Sequence, residues 1–154
     1  MSVAYIGIGT NMGDRADNIK TALESVELLP ETKVTELSNI YETAPWGYLE
    51  QDDFLNAVAK VETNLSSYAF LGALLGIEAA MGRLRTVKNG PRVIDLDLLF
   101  FEDEVQNTNE LTLPHPRIME RAFVLVPLYD VLKNTEISAA LEKVDTSGVK
   151  LYKK

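Results

Sequence analysis

The chain has 154 residues, 46% hydrophobic and 25% charged, with no cysteine and a formal net charge of −8. That length fits a single domain, residues 1–154, with enough chain to bury a real core. The absent cysteines exclude a disulfide framework and a thiolate metal site. The acidic balance argues against general binding to nucleic acid or anionic lipid, and no apolar run approaches the length of a membrane span.

The first residues, Met1-Ser2-Val3-Ala4-Tyr5-Ile6, enter a strand pattern directly, with neither the basic start nor the cleavage site of a signal peptide, and the absence of cysteine predicts a cytoplasmic location. Val3 to Gly9 reads as a strand with Ala4, Ile6 and Ile8 toward the core and Tyr5, Gly7 and Gly9 on the other face. Asp14 is placed to cap a helix from Arg15 to about Leu29, with the apolar stripe Ile19, Ala22, Leu23, Val26 and Leu29; Pro30 stops it. Residues 32–41 read as a second strand and residues 42–53 as a loop holding Pro45 and Gly47. Phe54 to Thr63 alternates cleanly, with Leu55, Ala57, Ala59 and Val61 inward and Phe54, Asn56, Val58 and Lys60 outward. Ser66 opens a helix whose face carries Phe70, Leu74, Ile77 and Met81, ending near Gly82.

The run from Gly90 to Phe100 then sets Val93, Asp95, Asp97 and Leu99 on one face of a strand and Ile94, Leu96, Leu98 and Phe100 on the other. The order strand, helix, strand, strand, helix, strand is that of a ferredoxin-like βαββαβ core, an α+β fold whose antiparallel sheet is flanked by helices. Residues 102–154 add a short hairpin region, proline-rich turns and a helix near Arg121 to Tyr129, with the last ten residues least legible.

Two carboxylates held side by side on a strand repel each other and lose hydration unless cations neutralise them, and one or two hard divalent metals are the usual solution. The segment from Arg83 to Arg92 carries Arg83, Arg85, Lys88 and Arg92 without an acidic residue. Magnesium and a polyphosphate would satisfy both charge runs. An exposed, merely solubilising pair is the alternative, but aspartate is a poor strand former and occurs here twice beside a Gly-Pro turn.

The loop Gly7-Ile8-Gly9-Thr10-Asn11-Met12-Gly13 has the wrong spacing for a dinucleotide fingerprint and no parallel βαβ unit follows it; P-loop and protein-kinase motifs are absent. Glycines at 7 and 9 would let another group approach the sheet closely. Asn56 shares a face with Phe54, so the two could read the edge and the face of a flat heterocycle; a turn asparagine satisfied by a neighbouring loop is the equal alternative. His115 lies between two prolines and can meet a phosphate through a ring nitrogen, or be an ordinary loop histidine. Arg121 and Phe123 pair a cation with an aromatic ring.

Four segments together, Gly9 to Asp14, Tyr41 to Thr43 with Phe54 to Asn56, Gly90 to Asp97, and Leu113 to Phe123, resemble the 6-hydroxymethyl-7,8-dihydropterin pyrophosphokinase family over residues 1 to about 130. The resemblance implies transfer of pyrophosphate from MgATP, the co-substrate, to the pterin hydroxymethyl group in folate biosynthesis, with release of AMP. It implies that Asp95 and Asp97 hold two magnesium ions and that Thr43, Ala44, Trp46 and Asn56 contact the pterin between the rings of Phe54 and Phe123. It further implies a nucleotide-binding set of Glu78, Arg83, Arg85, Arg92, Leu98, Thr112, His115 and Arg121, with Arg83 and Arg92 catalytic alongside Asp95 and Asp97. Asn89, Glu110 and Pro116 depart from residues found in several relatives. The expected partners are these small substrates, with no nucleic acid and no membrane, on a monomer. Two competing readings are another two-metal enzyme, such as a nucleotidyltransferase, and a non-catalytic ferredoxin-like module that binds a regulatory ligand.

Overall fold

The computed structural model describes residues 1–44, 50–82 and 92–152. Its elements run β1 (Ser2–Thr10), α1 (Arg15–Glu27), β2 (Thr32–Leu37), β3 (Tyr41–Thr43), β4 (Phe54–Thr63), α2 (Ser67–Ala80), β5 (Asp95–Phe101), β6 (Gln106–Asn107), β7 (Thr112–Leu113), α3 (Ala122–Val131), α4 (Thr135–Lys143) and β8 (Val149–Leu151). Both expected caps are in place: the Asp14 carboxylate accepts from Asp17 N–H at 3.1 Å, and the Ser66 hydroxyl accepts from Ala69 N–H at 3.2 Å.

The main sheet has the order β5-β1-β4-β3-β8, with β2 also pairing β4, and among the described residues all of its pairings are antiparallel. With β5 beside β1 and β1 beside β4, this is the expected α+β, split βαβ layout. One face is covered by α1 and α2, where Ile19, Ala22, Val26, Phe70 and Leu74 pack on Ala4, Ile6, Ala59 and Val61.

Three details differ from the sequence pattern, each for a local reason. The second strand is interrupted after Leu37: the Ser38 hydroxyl accepts from Val58 N–H at 2.8 Å in place of a ladder carbonyl, and pairing resumes as β3. Residues 42 and 43, expected in a loop, therefore belong to the sheet, and Thr43 lies opposite Phe54. A bulge in β5 pairs Ile6 with Leu98 but Tyr5 with Phe100, so the alternation slips at Leu99. Leu99 and Phe100 both face the second side of the sheet, and Phe101 takes the position facing Phe70 that the pattern gave to Phe100.

The third difference is that the second side is not a wet face. Helices α3 and α4 cover it, burying Tyr5, Val58 and Leu99 under Val124, Leu125, Leu128 and Ile137. Val58, expected to point outward, is fully buried. A helix near Arg121 to Tyr129 was expected and is present as α3, but α4 and β8 were not read from the sequence, and nothing in the pattern placed a helix over this face.

Leu125 is fully buried at the centre of that second layer. Leu125→Ala is expected to lower unfolding free energy by about 2–4 kcal/mol, measured as a lower urea midpoint at unchanged slope. A loss under about 1 kcal/mol would mean that α3 packs on the sheet far less tightly than the complete burial of Leu125 requires.

Candidate active site

Antiparallel register places Asn56, Gly9 and Asp95 in one row across β4, β1 and β5, and Val58, Gly7 and Asp97 in the next. Both carboxylates thus rise from the edge strand beside a strip of bare backbone. A Cβ at Gly9 would lie 3.1 Å from Asn56 Oδ1 and 4.0 Å from Asp95 Cβ, so glycine there keeps the floor open between the two side chains.

Over this floor is a cleft of about 510 Å³. At one end, Thr43, Ala44 and Phe54 line it, and Asn56 Nδ2 donates to Thr43 Oγ1 at 2.7 Å. The asparagine is therefore satisfied by a strand neighbour while it also lines the cleft, so the two sequence readings of Asn56 are not exclusive. Phe123, at the start of α3, forms part of the wall, with the Arg121 guanidinium 5.6 Å from its ring centroid.

Beside the carboxylates, Arg92 Nη1 lies 3.7 Å from Asp95 Oδ2. The bulge of β5 has a consequence here: the Leu99 carbonyl accepts from His115 N–H at 2.9 Å, which brings the proline-flanked turn to the cleft. His115 Nδ1 faces the Arg117 N–H at 3.4 Å, so Nε2 carries the ring proton. Burial, reinforced by the charge of Arg121, holds the His115 pKa below its ordinary 6.5.

The cleft continues around the outer edge of β5. Glu78, 4% exposed on α2, accepts there from Leu96 N–H at 2.7 Å and closes part of the strand's free edge. Leu98 has the same parity as Leu96, so its N–H and C=O also point away from β1.

Every sequence-assigned site residue within the described segments lines this one cleft: Thr43, Ala44, Phe54, Asn56, Glu78, Arg92, Asp95, Asp97, Leu98, Thr112, His115, Arg121 and Phe123. Trp46, Arg83 and Arg85 lie outside the described residues. Leu71 and Leu75 of α2 and Glu110 and Leu111 of the β6–β7 hairpin also line it and had no assigned role. The signal for the α2 pair was present, since Leu71, Leu75 and Glu78 form a second stripe at i, i+4 and i+7, beside the core stripe of Phe70, Leu74 and Ile77.

The model of the 7,8-dihydro-6-hydroxymethylpterin-pyrophosphokinase (HPPK) family matches residues 5–133. The chain belongs to this family. A 2-amino-4-hydroxy-6-hydroxymethyldihydropteridine pyrophosphokinase of Methylorubrum extorquens is 42% identical over 154 residues, covering 97% of this chain and 98% of its own length. The protein of the same name from Bacillus subtilis is 40% identical over 152 residues, covering 99% and 91%. Among solved structures, an HPPK-DHPS in complex with substrates superposes with a TM-score of 0.70 at 15% identity, over 93% of this chain and 45% of that one, which supports the shared fold. This chain thus spans less than half of that longer protein.

The HPPK cleft offers only hard oxygen donors at its carboxylate pair, and among the described residues no group of three or more His, Cys, Asp or Glu gathers to cage a metal. Such a site suits a cation held by one or two carboxylates and completed by water and phosphate oxygens.

Unfolded, His115 takes its proton near 6.5; folded, it does so only at lower pH, so within that window the unfolded chain binds more protons and stability falls as pH drops. As the chain has a single histidine, proton NMR is expected to show one imidazole titration with its midpoint below 6.5. His115→Gln is expected to flatten the stability loss just below that pH. A midpoint above 6.5 would mean that the nearby Asp95 charge outweighs burial and Arg121.

Proposed function

We propose that this pyrophosphokinase performs its folate-pathway reaction across the glycine floor, with the pterin on the Asn56 side and the ATP triphosphate on the Asp95 and Asp97 side. The supporting observation is the single sheet row Asn56, Gly9 and Asp95, which sets a heterocycle-reading amide and a cation-demanding carboxylate on either side of open backbone.

Phe54 and Phe123 sandwich the pterin, and the Asn56 carboxamide, oriented by Thr43, reads its polar edge with the backbone of Ala44; Trp46, outside the described residues, is assigned to the same ring by the resemblance alone. The hydroxymethyl group is thereby aimed toward β5. Arg92, already beside Asp95, Arg121 and the Nε2–H of His115 line the triphosphate end, where they donate to its oxygens; Arg83 and Arg85, outside the described residues, are assigned to the same group by the resemblance alone. The adenine lies against the outer edge of β5, where the Leu98 N–H and C=O meet its donor-acceptor edge and Leu71, Leu75 and Leu111 form the apolar wall. Thr112 lines the same end. Glu78, being buried and bonded to Leu96, acts through the position of β5 rather than on phosphate.

Asp95 and Asp97 would hold two magnesium ions, which when bound supply positive charge to the triphosphate oxygens. In the transfer, the hydroxymethyl oxygen forms a bond to the β-phosphorus, the bond from that phosphorus to the bridging oxygen of the α-phosphate breaks, AMP leaves and the hydroxyl proton passes to solvent. No covalent enzyme intermediate is required. A loose transition state needs no early deprotonation, which is consistent with the absence of a dedicated base among the assigned residues. The arginines stabilise charge on the group in flight and keep the two oxygens in line. The protein acts as a cytoplasmic, monomeric single domain; among the described residues no helix is long and apolar enough to cross a membrane.

Incubation with MgATP and 6-hydroxymethyl-7,8-dihydropterin is expected to yield AMP and the pterin diphosphate in equal amounts. ADP would indicate an ordinary kinase, inorganic pyrophosphate a nucleotidyltransferase, and no turnover a binding module. Asp97→Ala is expected to lower kcat at least about a thousandfold, about 4 kcal/mol, with the circular dichroism spectrum unchanged. Near-normal turnover in that variant would remove Asp97 from the metal site.

A further inference from the structure

Asn11 is 2% exposed in the turn between β1 and α1, and its side chain reaches two segments far apart in sequence. Its Nδ2 donates to Gln51 Oε1 at 2.8 Å and to the Asp52 carbonyl at 2.9 Å. Its Oδ1 accepts from the Arg92 N–H at 2.8 Å, and its own N–H donates to the Arg92 carbonyl at 3.1 Å. Both amide hydrogens and the amide oxygen are thus engaged, as a buried carboxamide requires.

These two segments lead to opposite sides of the cleft. Arg92 stands beside Asp95, at the start of the carboxylate strand. Residues 51 and 52 run directly into Phe54 and Asn56. Neighbouring residues brace each segment separately: Asn18 Nδ2 donates to the Met12 and Val93 carbonyls, and Arg15 Nη1 donates to the Asp53 carbonyl while pairing with Glu42 at 2.7 Å. Asn11 alone among these three bonds to both.

We propose that Asn11 is a positioning residue that couples the nucleotide side of the cleft to the pterin side. The inference rests on the ligand placement proposed above. Whatever fixes Arg92 fixes Asn11 through two hydrogen bonds, and Asn11 then holds residues 51 and 52, and with them the ring of Phe54 and the amide of Asn56. By linkage, the pterin acts back on nucleotide affinity by the same factor. A residue that only closes the turn would contribute to stability without linking the two affinities.

The test uses the full chain, with pterin binding followed by fluorescence in the absence and presence of magnesium and α,β-methylene-ATP, which cannot transfer its pyrophosphoryl group. In wild type the nucleotide is expected to tighten pterin binding by about tenfold or more. Asn11→Asp keeps the acceptor for the Arg92 N–H but sets a carboxylate oxygen against the Asp52 carbonyl, and is expected to reduce that ratio to within about twofold of one, with ATP affinity nearly retained. Gln51→Ala removes one acceptor at a less buried position, leaves folding intact, and is expected to reduce the ratio part of the way. A wild-type ratio near one, or a wild-type-like ratio in both variants, overturns the proposal. A wild-type protein that binds neither ligand, or that makes no AMP, overturns the function reading itself and is told apart by that result.

Discussion

Two aspartates side by side on an edge strand, facing a floor from which side chains have been removed, set the terms for the rest of the molecule. Such a pair raises the electrostatic energy of the folded chain unless positive charge lies close by. Arg92 provides part of it at 3.7 Å from Asp95. The remaining room lies over Gly7 and Gly9, which is where the proposed function sets the magnesium-bound polyphosphate. A larger side chain at position 9 would press on Asn56 and partly fill the space between that amide and the carboxylates, so the glycine serves both halves of the cleft.

The fold keeps that floor open by covering only part of the sheet's second face. Helices α3 and α4 pack on Tyr5, Val58 and Leu99, and the cleft begins where Val124 and Phe123 mark the first turn of α3. One face thus supplies a core that anchors the strands and a bare end on which ligands can lie. The bulge at Leu99 serves both purposes, since it turns Leu99 and Phe100 into the second core and offers the Leu99 carbonyl to the backbone of His115. Placing β5 at the sheet edge leaves the strand's outer backbone groups open to Glu78, while Asp95 and Asp97 face the cleft.

Strict alternation made β1 and β4 legible, and Asp14, Ser66 and Pro30 marked where α1 and α2 begin or end, because these are local rules. The bulge was not legible, since Asp95 to Phe101 contains hydrophobic residues of both parities after Asp97 and nothing in the run says which one is skipped. The break at Ser38 depends on one hydroxyl taking the place of a carbonyl in pairing with Val58, a tertiary event. Of the site, the carboxylate pair, the glycine-cleared face and Asn56 beside Phe54 could be read from spacing. His115 and Arg121 stood out from their neighbours, but they, like Thr112, could be set beside the carboxylates only by resemblance, because their arrival at the cleft depends on how the β6–β7 hairpin and the turn before α3 fold back on β5. Asn11 carried no distinctive signal, for an asparagine in a glycine-flanked turn reads as turn chemistry until its three partners are seen.

The most direct measurement is of divalent-ion retention by the aspartate pair, followed as loss of free Mn²⁺ by electron paramagnetic resonance with α,β-methylene-ATP and the pterin both present. Wild type is expected to retain two ions per chain in that ternary complex, and Asp95→Asn with Asp97→Asn to retain no more than the nucleotide carries alone. Full binding of both ligands by the wild type with no ion retained beyond that of free nucleotide would contradict a metal cradle on this sheet face.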